Sequence, residues 1–329
     1  MHLHYDVEAD WSLLDTCNFR CTYCFRSPEV LSAKVQVHAS AEKWAEGFDA
    51  TGKTWLLHIT GGEPSIYPAF IDLCRNLSRN HYLSINSNLS GNCIEEFAET
   101  IDPQRVHYIN AALHYVEREK RKSFDLFVER ANNLRRRGFH VMISVLMSPD
   151  VIRLYPEISG RLASHGLAGV PKVMRGKNWN GRKYPAAYSD EERALFLRYL
   201  ADAQRSYAPL MAEMEEPATI DIFADGRFVN GIPSYKGKRC AAGHNFVMID
   251  PKGNVRWCKR NSSLGNILQK NVELMHGPSL CKNSACPYFC EKYTSPAFVG
   301  KQPIGAILHN KLITLRRDFR DRRYSDRTI

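Results

Sequence analysis

The chain lacks any long apolar stretch. No run of about eighteen apolar residues, the length that marks a membrane-spanning helix, occurs among its 329 residues. The N-terminus also lacks the charged and then apolar pattern of a secretory signal. The sequence has no internal repeat and no low-complexity segment, which excludes a repeat array. We therefore expect a soluble, cytoplasmic protein and no membrane partner.

The composition is that of a globular protein with an excess of positive charge. Hydrophobic residues make up 44% of the chain, which is enough to bury a core. The length fits one large α/β domain with a smaller one attached. The formal net charge of +10 favours anionic partners, such as phosphorylated or carboxylated substrates. This charge does not require nucleic acid, and we do not expect nucleic-acid binding.

Ten cysteines are many for a cytosolic chain of this size. Disulfides do not persist in that compartment, so the thiols suggest metal binding or catalysis. Cys17, Cys21 and Cys24 follow one another closely, just after an apolar run that ends at Leu14. Three thiolates so close together can hold one soft metal centre, but they are one short of a closed zinc or four-iron site. The alternative is a zinc knuckle completed by a distant histidine or cysteine.

Six predicted strands alternate with helices as far as residue 174. The strands are predicted at Trp11–Leu14, Thr54–Thr60, Tyr82–Asn86, Val106–Leu113, His140–Met147 and Gly169–Met174. The helices between them are predicted at Ala39–Asp49, Tyr67–Ser78, Ile94–Thr100, Lys120–Arg137 and Ile152–Ser164. This alternation predicts a parallel sheet that curves into a barrel or partial barrel. In such a barrel the chemistry collects at the carboxyl ends of the strands, where both Cys17 and Gly61-Gly62 fall.

The cysteine spacing, with Tyr23 just before the third cysteine, resembles the signature of the radical S-adenosylmethionine (radical SAM) superfamily. Gly61-Gly62-Glu63-Pro64 resembles the motif with which that family holds the methionine amino group of S-adenosylmethionine. Consecutive glycines let the backbone come close to a ligand, and the carboxylate of Glu63 could accept from an ammonium group. The resemblance implies a partial (β/α)6 TIM-type barrel, a [4Fe-4S] cluster on Cys17, Cys21 and Cys24, and S-adenosylmethionine bound at Tyr23 and at Gly61–Pro64.

Other strand ends carry further candidates. Ser87 and Asn88 occupy the place where family members commonly present a Thr-Asn pair to the nucleoside, although a plain polar turn is the alternative. His114 follows the fourth strand, where many peptide-modifying relatives carry Asp-Gly. It is a candidate catalytic residue, or else it bonds to the loop backbone. Ser144 and Arg175 could reach the carboxylate of the cofactor or the substrate, and Arg175 is the second catalytic candidate.

Five more cysteines follow the barrel, among short strands predicted at Ile220–Ala224, Phe228–Val229, Phe246–Ile249 and Asn254–Trp257. Cys240 and Cys258 flank a hairpin, and Cys281, Cys286 and Cys290 come after it. This spacing resembles the auxiliary-cluster extensions called twitch and SPASM. The resemblance implies a second, auxiliary [4Fe-4S] cluster held by four of the five, with one of the last three spare. A zinc site is the alternative.

These features predict an α/β fold in which a partial barrel carries a small α+β cysteine-rich extension. The expected domains are a radical SAM partial barrel at 1–185, a linker helix at 186–218, an auxiliary iron–sulfur domain at 219–295 and a basic tail at 296–329. The basic, aromatic segment that begins at Arg175 is expected to be a lid over the barrel mouth or a solvated connector.

The resemblance implies an enzyme that reductively cleaves S-adenosylmethionine to a 5′-deoxyadenosyl radical and abstracts a substrate hydrogen. A reductase such as flavodoxin or ferredoxin would donate the electron. We expect oxidation or epimerisation of a small polar or anionic metabolite (a sugar, aminoglycoside or nucleotide-linked compound). The alternative is a maturase of a ribosomal peptide or protein. Such maturases often carry a leader-binding domain before the barrel, which we do not expect here because Cys17 begins the barrel. A zinc-bearing RNA-binding protein would leave Gly61–Pro64 without a purpose.

Overall fold

A computed structural model gives the fold. It describes residues 3–175, 178–179, 181–214, 223, 225–258 and 263–286. Cys290, the tail at 296–329 and most of the predicted strand Ile220–Ala224 lie outside these residues. Over the described ranges, every helix is too short or too polar to cross a bilayer.

A curved, mostly parallel sheet of nine strands forms the centre of the fold, as in a partial TIM-type barrel. Its spatial order is β12-β11-β10-β1-β2-β3-β4-β5-β6, and the strands from β10 to β6 run parallel. Two short hairpin-like pairs, β7 with β8 and β9 with β13, stand apart from it. The strands are β1 (Val7–Leu14), β2 (Trp55–Gly61), β3 (Tyr82–Ser87), β4 (Val106–Ala112), β5 (Val141–Met147), β6 (Gly169–Val173), β7 (Asn178–Trp179), β8 (Arg182–Lys183), β9 (Arg239–Cys240), β10 (Phe246–Ile249), β11 (Asn254–Arg256), β12 (Ser263–Asn266) and β13 (Ser279–Leu280).

Helices cover the outer face of this sheet. They are α1 (Pro28–Ser32), α2 (Ala41–Asp49), α3 (Phe70–Leu77), α4 (Ile94–Thr100), α5 (Tyr115–Arg121), α6 (Phe124–Arg136), α7 (Pro149–Ala163), α8 (Asp190–Glu213) and α9 (Asp225–Phe228). Helix α8 begins with a capping box, in which Ser189 and Glu192 accept from each other's backbone N–H groups. The α/β partial barrel predicted from the sequence is therefore confirmed.

The side chains of β1 alternate between the apolar core and the polar interior of the barrel. Trp11 points outward and is fully buried, with its ring centroid 4.7 Å from Trp44 and 5.2 Å from Phe48 of α2. Because side chains alternate along a strand, Asp10 and Ser12 point the other way, into the barrel. The apolar core thus lies between sheet and helices, and the space inside the barrel, here called the lumen, is lined by polar groups.

Two predicted elements differ from the structure. The single helix predicted at Lys120–Arg137 is two helices, because Lys122 adopts a left-handed backbone conformation (φ 49°) between α5 and α6. The strand predicted at Phe228–Val229 is wrong: Phe228 ends helix α9 and packs, buried, against the barrel. A short aromatic and β-branched pair carries too little periodicity to separate strand from helix.

The C-terminal cysteine-rich segment is joined to the barrel through the sheet itself. Strand β10 pairs in parallel with β1, with Glu8 opposite Phe246 and Asp10 opposite Met248. Strands β11 and β12 then extend the same sheet in antiparallel fashion. The predicted strand at Phe246–Ile249 is confirmed, whereas its partner strand was not expected.

Candidate active site

The first three cysteines lie in the loop that follows β1. The N–H of Cys17 donates to the carbonyl of Leu31 at 3.1 Å, and that of Cys24 to Cys21 at 3.0 Å, so α1 and a tight turn shape the loop. The pKa of the Cys17 thiol is raised to about 11 and that of Cys21 to about 12, mainly by burial; Cys24 contributes to both shifts, and Cys17 contributes to that of Cys21. Thiolates are costly here without nearby positive charge. The loop therefore fits a metal centre, which supplies that charge.

The turn after β2 packs against this loop. Gly62 N–H donates to the carbonyl of Leu14 at 2.7 Å, and Glu63 N–H donates to that of Thr16 at 3.0 Å. A Cβ on Gly62 would lie 1.9 Å from the Thr16 oxygen, and one on Gly61 would lie 2.2 Å from the Leu14 oxygen. Sequence reasoning explained the glycines by approach to a ligand. The structure shows an approach to the chain's own backbone, which places the cysteine loop.

Glu63 connects the turn after β2 to the loop after β3. Its buried carboxylate accepts from the N–H and hydroxyl of Ser65 at 3.0 and 2.6 Å, from the Ser87 hydroxyl at 2.6 Å and from Asn88 N–H at 2.6 Å. Burial raises its pKa, while the hydroxyls of Ser65 and Ser87 act in the opposite direction. The predicted site residues Glu63, Ser87 and Asn88 are therefore brought together, with Pro64 buried beside them.

Two buried arginines, which sequence reasoning missed, fix the loop after β3. Arg118 donates to the carbonyls of Asn88 and Leu113, the latter at 2.7 Å. Arg130 donates to the carbonyl of Leu89 at 2.8 Å, and Leu89 itself has a left-handed backbone (φ 55°). Both arginines lie on helices with many charged residues, so nothing in the sequence marks them as buried.

The predicted candidate His114 lies at the end of β4 and faces the cysteine loop. Its Nδ1 is 2.7 Å from the hydroxyl oxygen of Tyr23, and its ring also contacts that of Phe19. Burial lowers the pKa of His114 to about 4, so the ring is neutral at physiological pH. The alternative of a bond to the loop backbone is replaced by a side-chain bond to Tyr23.

A row of polar side chains crosses the lumen wall. Asn110 Nδ2 donates to Asn86 at 3.0 Å, Asn86 Nδ2 donates to Thr60 at 3.1 Å, and Thr60 pairs in register with Ser12. Asn86 is exposed although β3 is a central strand, so it must open into the lumen. The lumen is thus an accessible, hydrogen-bonding cavity. Ser144 lies on the same face of β5, buried, with its carbonyl accepting from Leu113.

One side of the lumen is charged. Arg26 donates to Ser12 at 3.0 Å and pairs with Asp15. Arg175 lies 3.9 Å from buried Asp225, with its guanidinium 4.8 Å from the Phe228 ring centroid. Burial raises the pKa of Asp10 to about 6, although the charges of Arg175 and Arg26 act in the opposite direction. Asp10 and Arg26 were not predicted. The alternation of Val7, Ala9 and Trp11 with polar residues was the available signal for Asp10.

Four of the five later cysteines converge. Burial raises the pKa of the Cys281 thiol, and three neighbouring thiols raise it further, those of Cys240, Cys286 and Cys258. Cys281 packs against both Cys240 and Cys286, and Asn283 Nδ2 lies 3.3 Å from the sulfur of Cys258. The pairing of β9 with β13 brings the first and third of these cysteines together.

Within the described residues, no three His, Cys, Asp or Glu side chains are placed closely enough to hold a single metal ion. A four-iron cluster holds its thiolates farther apart than one ion holds its ligands. This finding therefore gives no support to a single zinc ion at the described residues and is no test of an iron–sulfur cluster.

A parallel partial barrel with three thiols and a Gly-Gly-Glu-Pro turn at neighbouring strand ends defines a class of cofactor-dependent enzymes. Residues 11–152 match the family model described as the Radical SAM superfamily, so this part of the chain is a radical SAM domain. Such a domain implies binding of S-adenosylmethionine and of a [4Fe-4S] cluster.

Curated relatives match about a third of the chain. A GTP 3',8-cyclase of Ectopseudomonas mendocina (strain ymp) is 28% identical over 116 residues, which is 34% of this chain and 35% of the relative. A probable GTP 3',8-cyclase of Saccharolobus islandicus is 26% identical over 128 residues, 36% of this chain and 40% of the relative. The match spans little more than a third of these proteins.

Solved structures match over more of the chain. The protein anSMEcpe with bound AdoMet superposes with a TM-score of 0.53 at 13% identity, covering 81% of this chain and 76% of that one. Streptococcus suis SuiB bound to precursor peptide SuiA gives a TM-score of 0.53 at 12% identity, covering 91% and 66%. At such identities the likeness shows the fold alone.

Proposed function

We propose that this radical SAM enzyme oxidises or epimerises a small polar or anionic metabolite within the lumen. The observation that carries the proposal is the lumen wall: an exposed Asn86 on a central strand, joined to Thr60 and Asn110, next to a charged side that includes Arg26 and Arg175. Uncharged donors and acceptors suit hydroxyl groups, and guanidinium groups suit phosphate or carboxylate.

The cofactor site would lie above this wall. Cys17, Cys21 and Cys24 would hold the cluster, which when bound supplies the electron that cleaves S-adenosylmethionine and yields the hydrogen-abstracting 5′-deoxyadenosyl radical. The chain's own part is to fix the geometry: Gly61 and Gly62 place the cysteine loop, and Glu63 holds the loop that carries Ser87 and Asn88. Our candidates for contact with S-adenosylmethionine are Tyr23, Gly61, Gly62, Glu63, Pro64, Ser87, Asn88 and Ser144. A flavodoxin or ferredoxin would donate the electron.

His114 and Arg175 have different proposed parts. His114 is neutral and bonded to Tyr23, so we assign it to the cofactor side of the site. Arg175 lies on the lumen side and is our candidate for direct contact with an anionic group of the substrate.

The second cluster would be held by Cys240, Cys258, Cys281 and Cys286. Their convergence supports a closed site with four thiolates, which can transfer electrons but has no open iron for substrate. Such a cluster would accept the electron that net oxidation of a substrate radical releases. On this ligand set Cys290 is the spare cysteine.

Iron counting tests both cluster assignments. Reconstituted enzyme should bind about eight irons per chain, and the C17A/C21A/C24A triple variant about four, without forming 5′-deoxyadenosine. The variant C258A should also keep about four irons, yet it should still cleave S-adenosylmethionine in the absence of substrate. C290A is the matched control and should keep about eight. Wild-type protein with only four irons, or with stoichiometric zinc, would contradict the second cluster.

A peptide or protein substrate is the second candidate, because the fold resembles that of SuiB, solved with its precursor peptide. Formation of 5′-deoxyadenosine in the presence of test compounds separates the two. Stimulation by phosphorylated sugars or nucleotides, lost in Arg175→Ala, supports the metabolite. Stimulation by peptides alone supports the maturase.

A further inference from the structure

Asp10 lies on the floor of the lumen. Its register partner on β2 is His58, and the next two strands place Ser84 and Tyr108 at the same level. These three side chains are buried, whereas Asp10 is partly exposed. One level nearer the mouth of the barrel, Ser12 and the polar row on the lumen wall are accessible too. Asp10 is therefore a carboxylate at the closed end of an accessible polar cavity.

Asp10 differs from the carboxylates that the fold buries completely. Glu8, two residues earlier on the same face of β1, accepts from the Tyr5 hydroxyl and lies 4.0 Å from Nε2 of His58. The other buried carboxylates also accept hydrogen bonds from the chain: Glu63, Glu117 and Asp225. Within the part of the chain that the structure describes, no group donates a hydrogen bond to Asp10 or forms an ion pair with it.

A carboxylate enclosed without a donor is costly, because it gives up hydration and gains no hydrogen bond from the chain in return. The pKa of Asp10 reflects this cost, since burial raises it to about 6 although the charges of Arg175 and Arg26 act in the opposite direction. A carboxamide of the same shape would avoid the cost of the charge. A costly carboxylate that faces an accessible cavity points to a ligand that compensates it.

We propose that Asp10 is a specificity-determining residue that pairs with an ammonium group of the substrate, so that the metabolite is an amine that also carries hydroxyl groups, as an amino sugar does. An ammonium group supplies the positive charge and the hydrogen-bond donors that compensate the carboxylate, whereas a hydroxyl group supplies a donor without the charge. Thr60, Asn86 and Asn110 on the adjoining wall suit the hydroxyl groups of such a compound. This inference rests on the proposed function and narrows its substrate class to amines.

Isothermal titration calorimetry of the reconstituted holoenzyme with S-adenosylmethionine bound tests the inference with two matched pairs of probes. The amines are glucosamine and glucosamine 6-phosphate, and their hydroxyl counterparts are glucose and glucose 6-phosphate. Each amine should bind at least about tenfold more tightly than its counterpart, as expected for a hydrogen bond to a charged group. Asp10→Asn should remove this preference, because the carboxamide keeps the shape and loses the charge. Asp125→Asn, at an exposed position on α6, is the matched control and should keep it.

The outcomes separate this inference from the proposed function. Equal binding within each pair, no binding of either amine, or a preference for amines that persists in Asp10→Asn overturns the inference. S-adenosylmethionine also carries an ammonium group, so weaker binding of this cofactor by Asp10→Asn would assign the carboxylate to the cofactor and overturn the inference. Asp10→Ser must lose the preference as well, which keeps the test independent of the folding of one variant. The proposed function fails separately, if 5′-deoxyadenosine formation responds to peptides and to none of the four sugars.

Discussion

Replacing Gly62 by alanine tests whether the glycine places the cysteine loop. The new Cβ would lie 1.9 Å from the carbonyl oxygen of Thr16 and 2.7 Å from that of Asp15, both of them backbone atoms that cannot rotate away. Ordinary contact requires the two segments to separate by about 1.5 Å. The hydrogen bonds from Gly62 to Leu14 and from Glu63 to Thr16 then break.

The cost follows from these contacts. Each lost backbone hydrogen bond costs about 0.5–1.5 kcal/mol, and overpacking adds about 1–3 kcal/mol. We therefore expect Gly62→Ala to lower the free energy of unfolding by about 3–5 kcal/mol and the Tm by roughly 10 °C. Because the displaced segment precedes Cys17 directly, reconstituted iron should also fall.

The matched control is Gly160→Ala in α7, where an added Cβ has no heavy atom within 4 Å. It should raise the free energy of unfolding by about 0.5–1 kcal/mol, since alanine favours the helix. Differential scanning calorimetry and iron analysis of both variants decide the matter. A Gly62→Ala protein with wild-type Tm and iron but weaker binding of S-adenosylmethionine would refute the steric reasoning and restore the ligand-approach explanation.

Two further variants probe buried charge. Arg118→Ala leaves buried carbonyls without a donor and should lower the free energy of unfolding by about 3 kcal/mol. Arg121 forms a half-exposed ion pair with Glu117, so the control Arg121→Ala should lower it by at most about 1 kcal/mol. Equal effects of the two variants in urea unfolding would contradict this prediction. Asp10 has its pKa raised from 3.8 to about 6, so the folded state favours the protonated form and stability is lost as pH rises from about 4 to about 6. Asp10→Asn should therefore raise the free energy of unfolding by up to about 3 kcal/mol at pH 7 and leave it unchanged at pH 3. Urea unfolding at both pH values measures this. The same increase at pH 7 and pH 3 would count against burial as the cause.

The sequence predicted the barrel strands because apolar periodicity is a local property. Tyr82, Val106 and Phe246 begin strands where the pattern placed them. The break at Lys122 was not predictable, because a lysine in the left-handed region has no signature of its own. Its conformation is imposed where α5 ends and α6 must pack against a different part of the barrel.

The candidate site was predictable only as far as one rule applies, namely that the chemistry of a barrel collects at the carboxyl ends of its strands. That rule located Cys17, Gly61, Ser87 and His114 at successive strand ends, which the structure bears out as positions. It could not indicate Arg118, since burial of a long charged side chain depends on which carbonyls surround it in the fold.

The parallel pairing of β10 with β1 has a consequence for how the chain reaches this fold. Strand β1 has one edge that stays unpaired until β10, far along the chain, has been made. An unpaired strand edge is a template for association with other chains. The loop with Cys17 is attached to that strand. Its thiols can therefore react while the edge of the strand is still unpaired. Cluster assembly after β10 has docked would avoid such reactions and would make the C-terminal segment part of the maturation of the N-terminal site.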